Sequence, residues 1–254
     1  MSPRAFAQLT PEAWSFHRLS SRWAHNTLTP HADETPEPGK ALDLAPFTAL
    51  PPPRPPVLGL GAALAARRSW REFAASPIAL ADLGDLSHWA CGILGAETYG
   101  SIELPRRPAP SGGGMYPLEL YAIARRVEGL EPGIYHYQPV GHGLERVRDA
   151  VPPRAFSDYL FMGQPYVTDA AVTLVIAAAF GRSLKKYLDR GYRYVLIEAG
   201  HVGQNLALTA ESLGLGTCAI GGFLDVELAQ LLKLDVAREL PVYALACGAR
   251  PAES

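Results

Sequence analysis

The sequence predicts an α+β fold, with a central, mostly antiparallel sheet flanked by helices. Two observations carry this expectation. Strand-like runs at 118–126, 133–139 and 144–149 follow one another across short turns, the first containing Glu131-Pro132-Gly133, as in an antiparallel meander. The later strand-like runs, 170–180, 217–223 and 240–249, are instead separated by helical segments at 192–213 and 225–232. That order is not the strict strand–helix alternation of a doubly wound sheet.

Composition narrows the class further. The 254 residues are 48% hydrophobic and 19% charged, enough for a sizeable core and too apolar for a disordered chain. Lys and Arg total 23 against 25 Asp and Glu, so the basic footprint of a nucleic-acid binder is missing. No apolar run reaches the roughly 18–20 residues that a membrane-spanning helix needs. The opening MSPRAFAQLTPEAW has no apolar core of a secretory signal. Cys91, Cys218 and Cys247 are odd in number and far apart, which suits reduced thiols in a cytoplasmic protein.

The elements follow from local pattern. A helical segment is expected over about 11–28. Nine prolines between Pro30 and Pro56 then exclude regular helix or interior strand. Leu42, Leu44, Phe47 and Leu50 suggest an arm lying along a surface, the alternative being a flexible linker. The expected organisation is an N-terminal helix and arm over 1–58 and a main domain over 59–254. Residues 59–68 are rich in Ala and Leu and read as a short helix, and Leu80, Leu83, Leu86, Trp89 and Ile93 form one stripe of a helix over 80–94. The run 170–180 is bounded by Pro165 and Gly181 and contains β-branched Val172, Thr173, Val175 and Ile176, hence a buried strand. In 192–213, Val195, Ala199, Val202, Leu206, Ala210 and Leu213 recur at helical spacing, and Gly214 ends the helix. Gly200 and Gly203 inside it suggest close approach by another backbone or a flat ligand.

Five constellations could carry chemistry. Arg67, Arg68 and Arg71 crowd three guanidiniums around Ser69, which fits either an anion site or a solvated helix end. Pro110-Ser111-Gly112-Gly113-Gly114 allows close backbone approach to a ligand, or is a surface turn; it lacks the Gly-Lys-Ser/Thr ending of a phosphate loop. Ile220-Gly221-Gly222 opens a second glycine loop after a strand. Arg250 is either a tail charge or a late basic partner. Lys186-Tyr187 offers a proton acceptor and a phenol, or else belongs to the cationic face of an amphipathic helix. No zinc-binding HExxH pair and no GxSxG elbow is present.

Six segments in order, RRSWREF, PSGGGMYPLELY, GIYHYQP, KKYLDRGYRY, GLGTCAIGGF and ACGAR, resemble the nitroreductase-like flavoprotein superfamily. More closely they resemble its SagB/McbC-type branch, the azoline dehydrogenases of thiazole- and oxazole-modified peptides. The resemblance spans about 59–251, and SFHRLSSRW near the N-terminus is similar to the leader segment of SagB-type proteins. It implies the nitroreductase-like fold, an intertwined homodimer, and one FMN at each end of the interface. Arg67, Ser69 and Arg71 match the motif that holds the phosphate, ribityl chain and ring edge, with Arg68 a second candidate. Pro110, Ser111, Gly112 and Gly113 match the loop that reaches the flavin from the partner subunit. Ile220, Gly221 and Gly222 match the loop beside flavin N5, and Arg250 the residue closing the phosphate site. Lys186 and Tyr187 match the Lys-Tyr pair that ordinary nitroreductases lack.

The function expected from this resemblance is an FMN-dependent dehydrogenase or oxidase acting on a thiazoline, an oxazoline or a related heterocyclic or amine substrate. A cyclodehydratase is the expected protein partner. The alternatives are an NAD(P)H-dependent nitro or quinone reductase, or a non-catalytic flavin-binding subunit of a peptide-modifying complex. Substrate choice is expected to lie in about 85–105 and 155–168.

Overall fold

The computed structural model describes residues 10–21, 39–42, 44–99 and 102–252. Its centre is a seven-stranded sheet in which every neighbouring pair is antiparallel, in the order β1-β6-β5-β4-β7-β9-β8. The strands are β1 (Phe47–Ala49), β4 (Leu118–Ala124), β5 (Gly133–Gln138), β6 (Gly143–Arg148), β7 (Val172–Ala179), β8 (Leu215–Ile220) and β9 (Glu239–Ala249). β2 (Gly95–Tyr99) and β3 (Ile102–Arg106) form a separate hairpin. The expected meander is β4-β5-β6, and the run expected as a buried strand is β7, central and buried through seven of its eight residues.

Both faces of the sheet are covered, which is why β4 and β7 are apolar at every other position and nearly every one between. On one face Leu120, Ala122, Leu174 and Ile176 meet Leu83 and Leu86 of α3 (Leu80–Cys91) and Val195, Val202 and Leu206 of α7 (Asp189–Ser212). On the other, Tyr121, Ile123, Val175 and Ala177 meet Leu160 of α4 (Arg154–Leu160), Val167 of α5 (Pro165–Asp169) and Leu228 of α8 (Asp225–Leu231). Helix α7 has 24 residues, a length of about 36 Å, and Gly214 at φ +72° follows it. A Cβ on Gly203 would lie 2.5 Å from Tyr243 Cε1, so this glycine lets α7 settle onto β9. Around Gly200 there is open space instead.

Several expectations change. The N-terminal helix α1 covers Pro11–Leu19, and 22–28 lie outside the described residues. Helix α2 is Leu60–Ala66, so Arg67 and Arg68 lie beyond its end and not within it. The β2–β3 hairpin, α4 and α5 are elements that short, weakly periodic runs did not reveal, whereas α6 (Phe180–Tyr187) is the amphipathic helix that one reading of Lys186-Tyr187 allowed. The arm contributes β1 to the sheet edge and buries Leu50, whereas Leu44 stays fully exposed.

A buried polar cluster fixes the start of that arm. His136 is fully buried between Glu145 Oε2 at 2.8 Å and Glu119 Oε2 at 3.0 Å. Glu119 Oε1 also meets Arg182 Nη1 at 2.6 Å and accepts the Lys40 N–H at 3.0 Å, while Glu145 accepts the Leu42 N–H at 3.0 Å. Burial alone would push the Glu119 carboxyl up; His136 and Arg182 together outweigh it and hold the group below its ordinary range. All three cysteines are free and buried, and burial pushes the Cys91 and Cys247 thiols up to about 12. Among the described residues no helix is long and apolar enough to cross a membrane, and no His, Cys, Asp and Glu cluster could hold a metal.

Candidate functional site at the two ends of a long helix

The candidate residues gather into two groups, one toward each end of α7. The first is built on the glycine loop. Gly113 and Gly114 have φ of +63° and +68°, a conformation glycine adopts without the Cβ penalty, and the loop forms a single 3-10 turn over Gly112–Gly114. The Ser111 hydroxyl accepts the Tyr116 N–H at 2.8 Å, and Glu198 Oε1 of α7 accepts the Gly112 N–H at 2.9 Å. Burial raises the Glu198 carboxyl, and the Gly112 N–H and Ser111 hydroxyl only partly offset it.

Lys186 and Tyr187 belong to this group. Helix α6 ends at Tyr187, where Leu188 takes φ +48° and turns the chain into α7. The break therefore sits at Leu188, and Gly191 lets the two helices approach, since its Cβ would lie 2.9 Å from Ser183 O. At this helix end the two consecutive side chains point the same way. A Cβ on Gly113 would lie 2.5 Å from Tyr187 Oη and 2.7 Å from Lys186 Nζ. Tyr187 is held edge-on to Tyr194, 5.0 Å between centroids. Pro110 opens the loop and is exposed.

The second group surrounds β8. Ser69 bridges Thr217, and Trp70 donates its backbone N–H to Thr217 O at 2.8 Å, which lays the arginine run along the sheet edge. Arg67 is half-buried; Arg68, Ser69 and Arg71 are exposed. Among the described residues no carboxylate lies within ion-pair distance of Arg67, Arg68 or Arg71. Arg250 differs, because it pairs with buried Glu211 at 2.7 Å and donates to Leu215 O from Nε and Nη2 at 3.1 and 3.0 Å. Arg68 and Arg250 both face the Trp70 ring, at 3.8 and 5.0 Å from its centroid, and the Trp70 indole N–H is buried without a partner among the described residues. Beyond Ile220, the position of a Gly221 Cβ has nothing within 4 Å.

This donor set suits a phosphate-bearing ligand with a flat ring. Three arginines with no carboxylate partner among the described residues and a hydroxyl suit a dianionic phosphate. A side-chain-free loop open at Gly221 suits the edge of a flat ring. Trp70, Glu198 and Glu211 are the site residues that sequence reasoning missed. Trp70 stood visibly inside the arginine run, whereas the two glutamates are ordinary helix residues until the fold buries them.

The pattern of the Nitroreductase family matches residues 64–249. The MJ1384 protein of Methanocaldococcus jannaschii, a nitroreductase by name, is 37% identical over 182 residues, 72% of this chain and 86% of that one. The Microcin B17-processing protein McbC of Escherichia coli is 33% identical over 139 residues, and the match spans about half of each chain, 51% of this one and 49% of McbC. Among solved structures, a chain of the E. coli Microcin synthetase McbBCD complex with truncated pro-MccB17 bound has the same fold. Its TM-score is 0.61 at 23% identity, with 99% of this chain and 95% of that chain covered. A family pattern that runs from within α2 to the end of β9 and takes in both residue groups except Arg250 establishes that the protein belongs to the nitroreductase family of oxidoreductases.

Proposed function

We propose that the protein is an FMN-dependent dehydrogenase that oxidises a thiazoline, an oxazoline or a related heterocyclic or amine substrate in a site shared by two copies of the chain. The carrying observation is the separation of the two groups. Lys186 and Tyr187 lie just before Asp189, the first residue of α7, and Glu211, which holds Arg250, lies 22 residues further on, about 33 Å along the helix. One chain cannot bring both groups to one small ligand.

A twofold axis can. Gly200 lies at the middle of α7, eleven residues from Asp189 and twelve from Ser212, on a stripe where Leu196 and Ile197 are 42% and 57% exposed. An axis through this point exchanges the ends of the helix. The absent Gly200 side chain lets the two helices approach closely. Lys186, Tyr187 and the Ser111–Gly113 loop of each copy then face the arginine group of the other.

In that arrangement Arg67, Ser69 and Arg71 hold the phosphate and ribityl chain, with Arg68 and Arg250 shaping the pocket through Trp70. Ile220, Gly221 and Gly222 leave the ring edge unobstructed. FMN bound by these residues would supply the redox chemistry, as the hydride acceptor. Lys186 and Tyr187 divide the remaining work: one removes the proton from the substrate carbon and the other orients the substrate. The helix and arm over 1–58 extend the flavin-binding unit of 59–254. Similarity to McbC supports a peptide-modifying setting with a cyclodehydratase partner, and three buried thiols suit the cytoplasm.

Mixed dimers test this. A chain with Arg67→Ala and Arg71→Ala and a chain with Lys186→Ala should each be inactive alone. Re-equilibrated at 1:1, they should recover about a quarter of the wild-type rate, since half of the dimers then hold one intact site of two. No recovery would overturn the shared site. Similarity to MJ1384 favours a second reading, an NAD(P)H-dependent nitro or quinone reductase; steady NADH oxidation with a nitroaromatic acceptor, and no azoline oxidation, would select it. A wild-type protein that stays colourless after FMN addition would exclude both and leave a non-catalytic subunit.

A further inference from the structure

One amide ties the turn between α4 and α5 to the second glycine loop. Gln164, between α4 and α5, donates from Nε2 to Gly222 O at 2.8 Å and to Phe161 O at 2.9 Å. Its Oε1 accepts the hydroxyl of Tyr166. The assignment of the amide nitrogen and oxygen is fixed by chemistry, because two carbonyls require the NH2 group and the phenol supplies the remaining proton. Tyr166 stays a donor: burial, with the Cys218 thiol beside it, pushes the phenol up to about 12, while nearby Arg71 opposes the shift. Three hydrogen bonds on one half-buried side chain leave it little freedom. A second tie runs parallel to it, from the Leu224 N–H to Leu160 O at 2.8 Å.

We propose that Gln164 is a positioning residue that sets the backbone of Gly221 and Gly222, and that Tyr166 locks it in the required orientation. Two adjacent glycines have no side chains to define their conformation, so an open loop here would sample many backbone angles. Gln164 grips the Gly222 carbonyl, next in the chain to the open space at Gly221. Arg71 lies near enough to Tyr166 for its charge to act on the phenol. Tyr166, Gln164 and Gly222 thus form one hydrogen-bonded chain that ends at the second glycine loop. This inference rests on the flavin reading above, in which the glycine loop borders the redox-active edge of the ring. Gln164 itself need not touch the ring; it acts through Gly222.

The test is the midpoint potential and visible spectrum of protein-bound FMN in wild type, Gln164→Ala, Gln164→Glu and Tyr166→Phe, with FMN affinity measured in parallel. Gln164→Glu replaces a donor with a carboxylate facing two carbonyls; Tyr166→Phe keeps the amide but frees its orientation. The expected result is a shift of both potential and flavin band, largest in Gln164→Glu and smallest in Tyr166→Phe, while FMN affinity changes less than threefold because Arg67, Ser69 and Arg71 are untouched. Wild-type potential and spectrum in Gln164→Ala and Tyr166→Phe alike would overturn the proposal and leave the flavin reading intact. Absence of FMN binding by wild type would instead overturn the flavin reading itself.

Discussion

Lys186 and Tyr187, neighbours in sequence, bring their functional ends to one point: a Cβ on Gly113 would meet the ammonium at 2.7 Å and the phenol oxygen at 2.5 Å. Residues 100° apart on a helix normally diverge. These two converge because the helix stops at Tyr187 and the glycine loop supplies a surface without side chains. The pair and the loop therefore form one unit, and Lys186→Ala and Tyr187→Phe should each lower azoline turnover by about 10²–10⁴-fold. The flavin spectrum should stay unchanged in both. Wild-type turnover in both variants on an azoline substrate would reduce the pair to a packing role.

The same contact makes Gly113 the least replaceable glycine of the site. Gly113→Ala places a methyl group against two polar tips and imposes a left-handed conformation on alanine, about 1–2 kcal/mol before any clash. It should lower the melting temperature and displace Lys186 and Tyr187. Gly221→Ala meets nothing within 4 Å in the chain, so it should fold normally and lose activity only through the bound ring. Equal melting temperatures for the two variants would contradict this distinction.

Arg67 is half-buried and Arg71 exposed, so neither carries the full penalty of a buried ion. A charge-assisted hydrogen bond to phosphate contributes about 1.5–3 kcal/mol, so Arg67→Ala or Arg71→Ala should each weaken FMN binding about 10- to 100-fold, additively to first order. Titration of apoprotein with FMN, followed by flavin fluorescence, reads this directly. Full flavin occupancy in the double variant at micromolar concentration would remove the phosphate assignment.

Ile197, 57% exposed near the centre of α7, should lie in the dimer interface. Ile197→Glu would bury two like charges close to a twofold axis and should yield monomers by light scattering at micromolar concentration. Because each site takes residues from both copies, FMN should be lost with the dimer. A flavin-loaded monomer would refute the shared site.

Glu198 gives the pH dependence a definite sign. Burial raises its native value above the ordinary 4.5, so the folded state binds more protons than the unfolded state between those two values. Its contribution is fully present below 4.5 and is lost as pH rises through the raised native value. Glu198→Gln keeps an acceptor for the Gly112 N–H and removes the ionisation. It should be more stable than wild type at neutral pH, with the gap closing below 4.5 in pH-dependent thermal melts. Glu198→Ala strands the N–H and should cost about 1–3 kcal/mol.

Glu119 has the opposite sign. His136 and Arg182 hold its native value below the ordinary 4.5, so its contribution is present above that value and is lost as pH falls through the depressed one. Glu119→Gln should therefore flatten the acid limb of the melting curve. An unchanged acid limb would show that this cluster does not govern acid unfolding.

By itself the sequence determined the secondary elements with strong periodicity or clear stops: the β4-β5-β6 meander, buried β7, helix α7 and its glycine end. Apolar spacing and turn chemistry are local properties, so they can be read without the fold. The same holds for the concentration of arginines around Ser69 and of glycines after Ser111, which are unusual as composition alone. Tertiary structure decided the rest. It buried Glu198 and Glu211, ordinary helix glutamates in sequence, and turned one into the anchor of Gly112 and the other into the partner of Arg250. It placed Gln164 against Gly222, 58 residues away, and sent the arm's β1 to the sheet edge beside β6. It also separated the arginines and the Lys186-Tyr187 pair toward opposite ends of one helix. Burial and long-range pairing depend on how distant segments meet, and no local pattern in the chain encodes that meeting.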